Sequence, residues 1–348
     1  MADVAVSVVI PTFNVAAQLH GLWASMRTSG LVGRVREIIV VDDGSTDGTA
    51  AAAEAFIADV HDPVTRIRLL RLPSNQGRFL ARLAGARVAH FEFVLFLDTR
   101  LELPANFADR LFTYLPGDRC LQGVTRLDPD RTIFDRYWDR THLVLFRRYY
   151  RDAERGLVIT PENYDRYPKG TGVFACPRDV FLAACEPHEH APLLNDDTAL
   201  LLRIVRTHPI HVRPDFEFFW FPRRTLAGFL GRIWTRGPSS VEYHLFEARG
   251  AYFRLFLLVS VALAGQVLFI GFLPRMASWS VFEATVLVVM ADVAIVVLTT
   301  AWFARGVGDF IVLAPLHLLV VVVAGTSVFW SVAAQLARRG IRRLQTGS

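Results

Sequence analysis

Short apolar runs, each closed by a polar turn, alternate with longer mixed segments through the first hundred residues. Val6–Ile10 closes at Pro11, with Thr12, Phe13 and Asn14 as the turn, and Val35–Val41 closes at Asp42-Asp43-Gly44. Ile67–Leu70 leads to the turn Asn75-Gln76-Gly77-Arg78, and Phe93–Leu97 closes at Asp98. Such runs read as buried strands, and Ala16–Thr28, Thr49–Ala58 and Phe79–Ala89 between them read as helices. Pro104 is placed to open another helix, where its missing N–H has no partner to lose. Strands alternating with helices predict right-handed crossovers and a largely parallel sheet. Ligands sit at the carboxyl ends of such strands. Asp43 and Asp98 therefore reach one functional edge, although a carboxylate after a core strand is also ordinary turn chemistry.

The pattern changes towards the C-terminus. Leu255–Pro274 carries no charge, Ala284–Ala304 carries only Asp292, and Phe310–Ala337 carries none apart from His317. Each is long enough for a bilayer core, which needs about 20 apolar residues per helix. Before them, Thr225–Arg236 places Leu226, Phe229, Leu230, Ile233 and Trp234 at helical spacing. Arg223, Arg224, Arg232 and Arg236 flank that stripe, and Pro238 is expected to stop the helix. Arginine and tryptophan there fit an interfacial helix; a core helix is the other reading. The expected layout is an α/β domain at 1–222, amphipathic interfacial helices at 223–250 and about three transmembrane helices at 251–348.

Composition sharpens this picture. The chain is 52% apolar and carries a formal net charge of +5, almost all of its positive charge on arginine, since Lys169 is the only lysine. A basic balance suits nucleic acid, anionic lipid or phosphorylated substrates. The arginines lie beside membrane-length runs and no nucleic-acid motif is present, so lipid and phosphate are the expected partners and nucleic acid is not. Cys120, Cys176 and Cys185 have no metal-ligand spacing and read as reduced, cytosolic thiols. The start MADVAVSVVIP lacks a basic region before its apolar run and does not read as a signal peptide.

VSVVIPTFN, VDDGSTDGT, NQGRFLARLAGA and LFLDTRLELP occur in this order over the N-terminal region. Together they resemble the family-2 inverting glycosyltransferases, whose α/β domain is the GT-A, Rossmann-like, nucleotide-sugar-binding fold with a mixed sheet. The resemblance covers about residues 5–222. It implies that Pro11, Thr12 and Phe13 line the base pocket and that Asp43 accepts from base or ribose, with Arg78 also among the donor-binding residues. A carboxylate suits an imide N–H such as that of uracil, so a UDP-sugar is favoured. Asp98 matches the first acid of the family's Asp-x-Asp element, which holds ribose and a diphosphate-bound Mg²⁺ or Mn²⁺. The second acid is replaced by Arg100. A guanidinium cannot ligate a cation. Either Glu102 substitutes for it, or Arg100 neutralises the diphosphate itself.

Lys169-Gly170-Thr171-Gly172 precedes a strand that resembles the one under the family's acceptor site, and Lys169 is grouped with Arg232, Trp234 and Arg236 as acceptor or interface residues. Asn195 or Asp196 could simply cap the helix that follows. Alternatively, Asp196-Asp197-x-x-Leu-x-x-Arg matches the family's acidic acceptor motif, with Asp197 as general base beside Asp196. The arginine- and aromatic-rich stretch Gly117–Pro168 reads either as a surface or as a basic wall for a phosphorylated lipid.

The expected protein is a membrane-anchored inverting glycosyltransferase that moves one sugar to a hydroxyl of a lipid-linked acceptor in envelope glycan or exopolysaccharide synthesis. A polyprenyl-phosphate acceptor is the alternative, and a non-catalytic nucleotide-sugar-binding scaffold a further one. No match to the Gln-x-x-Arg-Trp element of processive synthases is present. The expected location is a bacterial-type cytoplasmic membrane, multi-pass, with the catalytic domain cytosolic. Basic residues before the first span favour that side, whereas the basic tail Arg338–Arg343 would lie outside after three crossings. Asp292 in the second apolar run is costly unless partnered.

Overall fold

The computed structural model describes residues 4–188, 196–247, 250, 252–276 and 280–346. They fall into two compact units: Met1–Leu127 with Phe146–Phe221, and Asp128–Leu145 with Pro222–Ser348. Asp128–Leu145 thus leaves the first unit to pack with the C-terminal one, a detour that a single boundary at 222 does not contain.

The first unit starts β1 (Val6–Thr12), α1 (Ala16–Thr28), β2 (Glu37–Asp42), α2 (Thr49–Asp59), β3 (Arg66–Arg71), α3 (Arg78–Val88) and β4 (Phe93–Leu97). β5 (Leu101–Glu102), α4 (Phe107–Asp118), β6 (Leu121–Gln122) and β7 (Val124–Arg126) follow. Helix α5 (Ile133–Leu145) belongs to the second unit. The first unit resumes with α6 (Arg147–Ala153), β8 (Leu157–Ile159), β9 (Val173–Pro177), α7 (Arg178–Cys185), α8 (Asp196–Val205), β10 (Ile210–Val212) and β11 (Glu217–Trp220).

The main sheet runs β3-β2-β1-β4-β9-β6-β10-β8, and a small sheet runs β5-β11-β7. The first four strands are parallel, as their helical crossovers require. β9 enters antiparallel to β4 and β6. An antiparallel strand begins where its neighbour ends, so the start of β9 lies beside the end of β4. Val9, Ile39, Val41, Val94 and Phe96 pack on one face of the sheet, while Val8, Ile10, Ile38, Val40 and Leu95 pack on the other. Burial on both faces explains the unbroken apolar runs. Pro104 precedes its helix by a turn: α4 begins at Phe107, whose N–H donates to the Pro104 carbonyl at 2.9 Å.

The second unit joins α5 to α9 (Leu226–Val241), α10 (Phe253–Met276), α11 (Val281–Phe303) and α12 (Val307–Thr346). Thr225 caps α9 by accepting from Gly228 N–H. Pro238 does not stop it. Proline withholds the N–H that Trp234's carbonyl would receive, and Ser327 Oγ donates to that carbonyl instead at 2.7 Å. A Cβ on Gly237 would lie 1.9 Å from the same hydroxyl, which is why α12 can approach α9 there. Phe253–Phe272, Val281–Phe303 and Val307–Arg338 are long and apolar enough to cross a membrane, by length and composition. Asp292 is partnered by Gln266, whose amide donates at 2.8 Å.

Candidate functional site

Two loops make the carboxyl edge of the parallel strands. Thr12 is buried, and its hydroxyl donates to the Val41 carbonyl at 3.1 Å; Pro11 is half-buried and Phe13 is 41% exposed. Asn14 takes a positive φ of 50°. It is held there by Ser45 Oγ, which accepts from its N–H at 3.0 Å, and by Thr46 N–H, which donates to its Oδ1 at 2.9 Å. Gly44 has φ +68°, and a Cβ there would meet the Ser74 backbone at 2.7 Å. The turn after β2 therefore needs glycine on two counts.

Asp43 does its visible work on the next turn. Its two oxygens accept from the N–H groups of Gln76 and Gly77, each at 2.8 Å. Burial raises its pKa against the lowering effect of those two donors, and neighbouring Asp42 adds to the rise. Gly77 immediately precedes α3, so the Asp43 clamp sets where that helix begins. Arg78 and Arg82, one turn apart on α3, then share a face.

That face meets the other acids. Asp98 N–H donates to the Gly172 carbonyl at 2.8 Å, which brings Thr171 beside the end of β4. Thr171's hydroxyl donates to Asp197 Oδ1. Arg82, 3% exposed in its side chain, donates to the same oxygen at 3.0 Å, and Arg78 donates to Asp197 Oδ2 at 3.2 Å. Asp197 is the second residue of α8, and its carboxylate is spent on these three partners. Burial pushes its pKa up, but Arg78 and Arg82 with the Thr171 bond outweigh burial and hold it well below the usual carboxylate range. Asp98 follows the same logic. Burial opposes ionisation, and the charges of Arg100, Arg78 and Arg82 reverse the effect and lower its pKa. The guanidiniums of Arg78, Arg82 and Arg100 thus act together on the carboxylates of Asp98 and Asp197.

Residues 7–174 match the family model described as glycosyl transferase family 2. That region is a family-2 glycosyltransferase domain. Among curated relatives, it is 31% identical over 144 residues to an undecaprenyl-phosphate 4-deoxy-4-formamido-L-arabinose transferase of Pectobacterium carotovorum, covering 41% of this chain and 43% of that protein. The Yersinia pestis protein of the same name is 28% identical over the same length. The chain spans under half the length of the curated relatives it matches. A mannosyltransferase from Pyrobaculum calidifontis, solved with GDP-mannose and Mn²⁺, is similar over 68% of this chain and 61% of that one, at 20% identity and a TM-score of 0.48.

The family-2 domain departs from a metal site in its donor set. Asp98 faces guanidinium charges, and Arg100 stands where a second acid would ligate. Glu102 is exposed on β5, which pairs with β11 in the small sheet. Among the described residues no three acidic, histidine or cysteine side chains are grouped to hold a metal. These residues do not fit a protein-built Mg²⁺ or Mn²⁺ site.

Other candidates are dispersed. Lys169 donates to the Tyr164 carbonyl and lies over the Tyr164 ring, 3.7 Å from its centroid. Arg232, Trp234 and Arg236 lie on α9 in the second unit; Trp234 is 43% exposed, and Arg236 sits 5.9 Å from the Trp138 ring centroid. Asn195 and the side chain of Asp196 lie outside the described residues. Sequence reasoning gave no role to Arg82 or Thr171. The available signals were the four-residue spacing of Arg78 and Arg82 and the hydroxyl between Gly170 and Gly172.

Proposed function

We propose that the protein is a membrane-anchored glycosyltransferase that moves one sugar from a nucleotide sugar to a polyprenyl phosphate. The state of Asp197 carries this reading. Transfer to a hydroxyl needs a base to take its proton, and an aspartate held ionised by Arg78, Arg82 and Thr171 is a poor one. A phosphate oxygen is already anionic. It would attack the anomeric carbon directly, forming a C–O–P link as the bond to the donor's diphosphate breaks, with no proton to remove. The named substrate of the curated relatives, undecaprenyl phosphate, supports the same acceptor class. Exposed Phe13 offers a stacking face for the donor's base, beside Asp43.

The test supplies purified full-length protein with radiolabelled nucleotide sugars and either undecaprenyl phosphate or a lipid-linked glycan with free hydroxyls. Labelled polyprenyl-phosphate sugar is the expected product. Transfer only to the hydroxyl acceptor would overturn the acceptor reading, and no transfer to either would favour a scaffold. The catalytic unit is read as cytosolic and the protein as multi-pass with three crossings, because the Gln266–Asp292 bond gives the costly acid a partner. Impermeant labelling of Ser348→Cys in a cysteine-free background should succeed in intact cells. Labelling only after lysis would mean an even number of crossings.

A further inference from the structure

We infer that Tyr164 is a positioning residue for transfer, joining the two segments that meet at Asp197. The inference rests on the transfer proposed above and goes further, to what holds the site's ion pairs in place. Thr171 lies just before β9, and Asp197, 26 residues later, is in the first turn of α8. The Thr171–Asp197 hydrogen bond and the Asp197 pairs with Arg78 and Arg82 need these segments held at one separation. Tyr164 is 1% exposed and touches both. Its hydroxyl donates to the carbonyl of Thr198, the residue after Asp197, at 2.5 Å. Its own carbonyl accepts from Nζ of Lys169, two residues before Thr171, and that ammonium lies over its ring, 3.7 Å from the centroid. Asn163 fixes the turn that presents Tyr164: its Oδ1 accepts from Thr160 N–H and its amide donates to the Val158 carbonyl, each at 2.9 Å. Phenylalanine would serve if the ring only filled the core. The Thr198 carbonyl lies inside α8, where the helix supplies an N–H of its own, so the Tyr164 bond rescues no orphaned group. What it adds is a fixed distance from a buried turn to the start of α8. Charged groups beside reacting atoms act through their placement, which a shift of about 1 Å can spoil.

The experiment uses the purified full chain, radiolabelled nucleotide sugars and undecaprenyl phosphate, and compares wild type with Tyr164→Phe, which removes only the hydroxyl. Turnover (kcat) is expected to fall about 5-fold, the equivalent of one hydrogen bond of about 1 kcal/mol, with KM for both substrates within about twofold. The midpoint of thermal unfolding should stay within about 4 °C. In an Asp197→Asn background the same change should cost less than about twofold, because the group it positions is already altered. An equal loss in both backgrounds would mean general destabilisation and overturns the inference, as does an unchanged kcat. Lys169→Met should lower kcat similarly, and Lys169→Arg, which keeps a cation over the ring, should restore most of it. These two variants decide the matter if Tyr164→Phe does not fold. A higher KM for undecaprenyl phosphate at unchanged kcat in Lys169→Met overturns the inference. The two readings fail separately. Transfer by wild type to a hydroxyl acceptor alone overturns the acceptor proposal, and the same comparison is then made with that acceptor. No transfer by wild type to either acceptor overturns both.

Discussion

Each unit contains a cluster of arginines and aspartates, and the two differ in exposure. In the second unit, Arg140 bridges Asp309 and Asp139, each at 2.6 Å, and Arg136 approaches Asp309 at 3.9 Å. Arg136 also approaches Asp130 at 3.7 Å, and Arg140, Asp139 and Asp309 are only 10–15% exposed in their side chains. The result is a closed clamp between α5 and the start of α12. At the edge of the main sheet, Arg78 and Arg82 pair with Asp197, and the charges of Arg100, Arg78 and Arg82 act on Asp98. Arg78 keeps 39% of its side chain exposed. The buried cluster ties α5 to α12 through its ion pairs. The sheet-edge cluster is the more open of the two.

Breaking each cluster should therefore do different damage. Arg140→Ala removes the guanidinium that Asp309 and Asp139 share and should destabilise the second unit by about 3 kcal/mol, while nucleotide affinity stays unchanged. Denaturation in nanodiscs beside calorimetric titration checks both halves; a loss of affinity without a loss of stability would erase the distinction. Arg82→Ala should lower turnover by about 10²-fold, read from sugar transfer with saturating acceptor.

Asp197→Asn should cost less than about 10-fold in turnover. A loss of about 10²-fold or more would restore it as general base. The same variant has a stability signature. The folded-state pKa of Asp197 is depressed, so its ionised form adds stability above the ordinary carboxylate range, and that contribution is lost as pH falls through the folded value. The stability gap between wild type and Asp197→Asn should thus be full at neutral pH and shrink below about pH 4. The smallest effect concerns the polar seam of the second unit. The two ring nitrogens of His317 hydrogen-bond the Tyr137 and Thr299 hydroxyls, at 2.8 and 2.9 Å. Thr299→Val should cost about 0.6 kcal/mol, the average for an interhelical hydrogen bond in a membrane, and thermal unfolding of matched preparations would measure it.

Local patterning determined the strands, the helices between them and the three apolar spans, because strand and helix periods and bilayer length are written in consecutive residues. It also placed Asp43 and Asp98 at strand ends. It misread Pro238 as a stop, because the donor that replaces the missing N–H is Ser327, on α12. It could not show that Asp128–Leu145 packs with the membrane-length helices, although Phe134, Tyr137, Trp138 and Thr141 already mark one helical face. The state of Asp197 was beyond it as well. A motif names a carboxylate, but whether that carboxylate is a base or an ion-pair partner depends on its surroundings. Those come from α3 and from the antiparallel entry of β9, more than a hundred and about twenty-five residues away respectively. Charge acts through space, and only the folded chain sets the distances over which it acts.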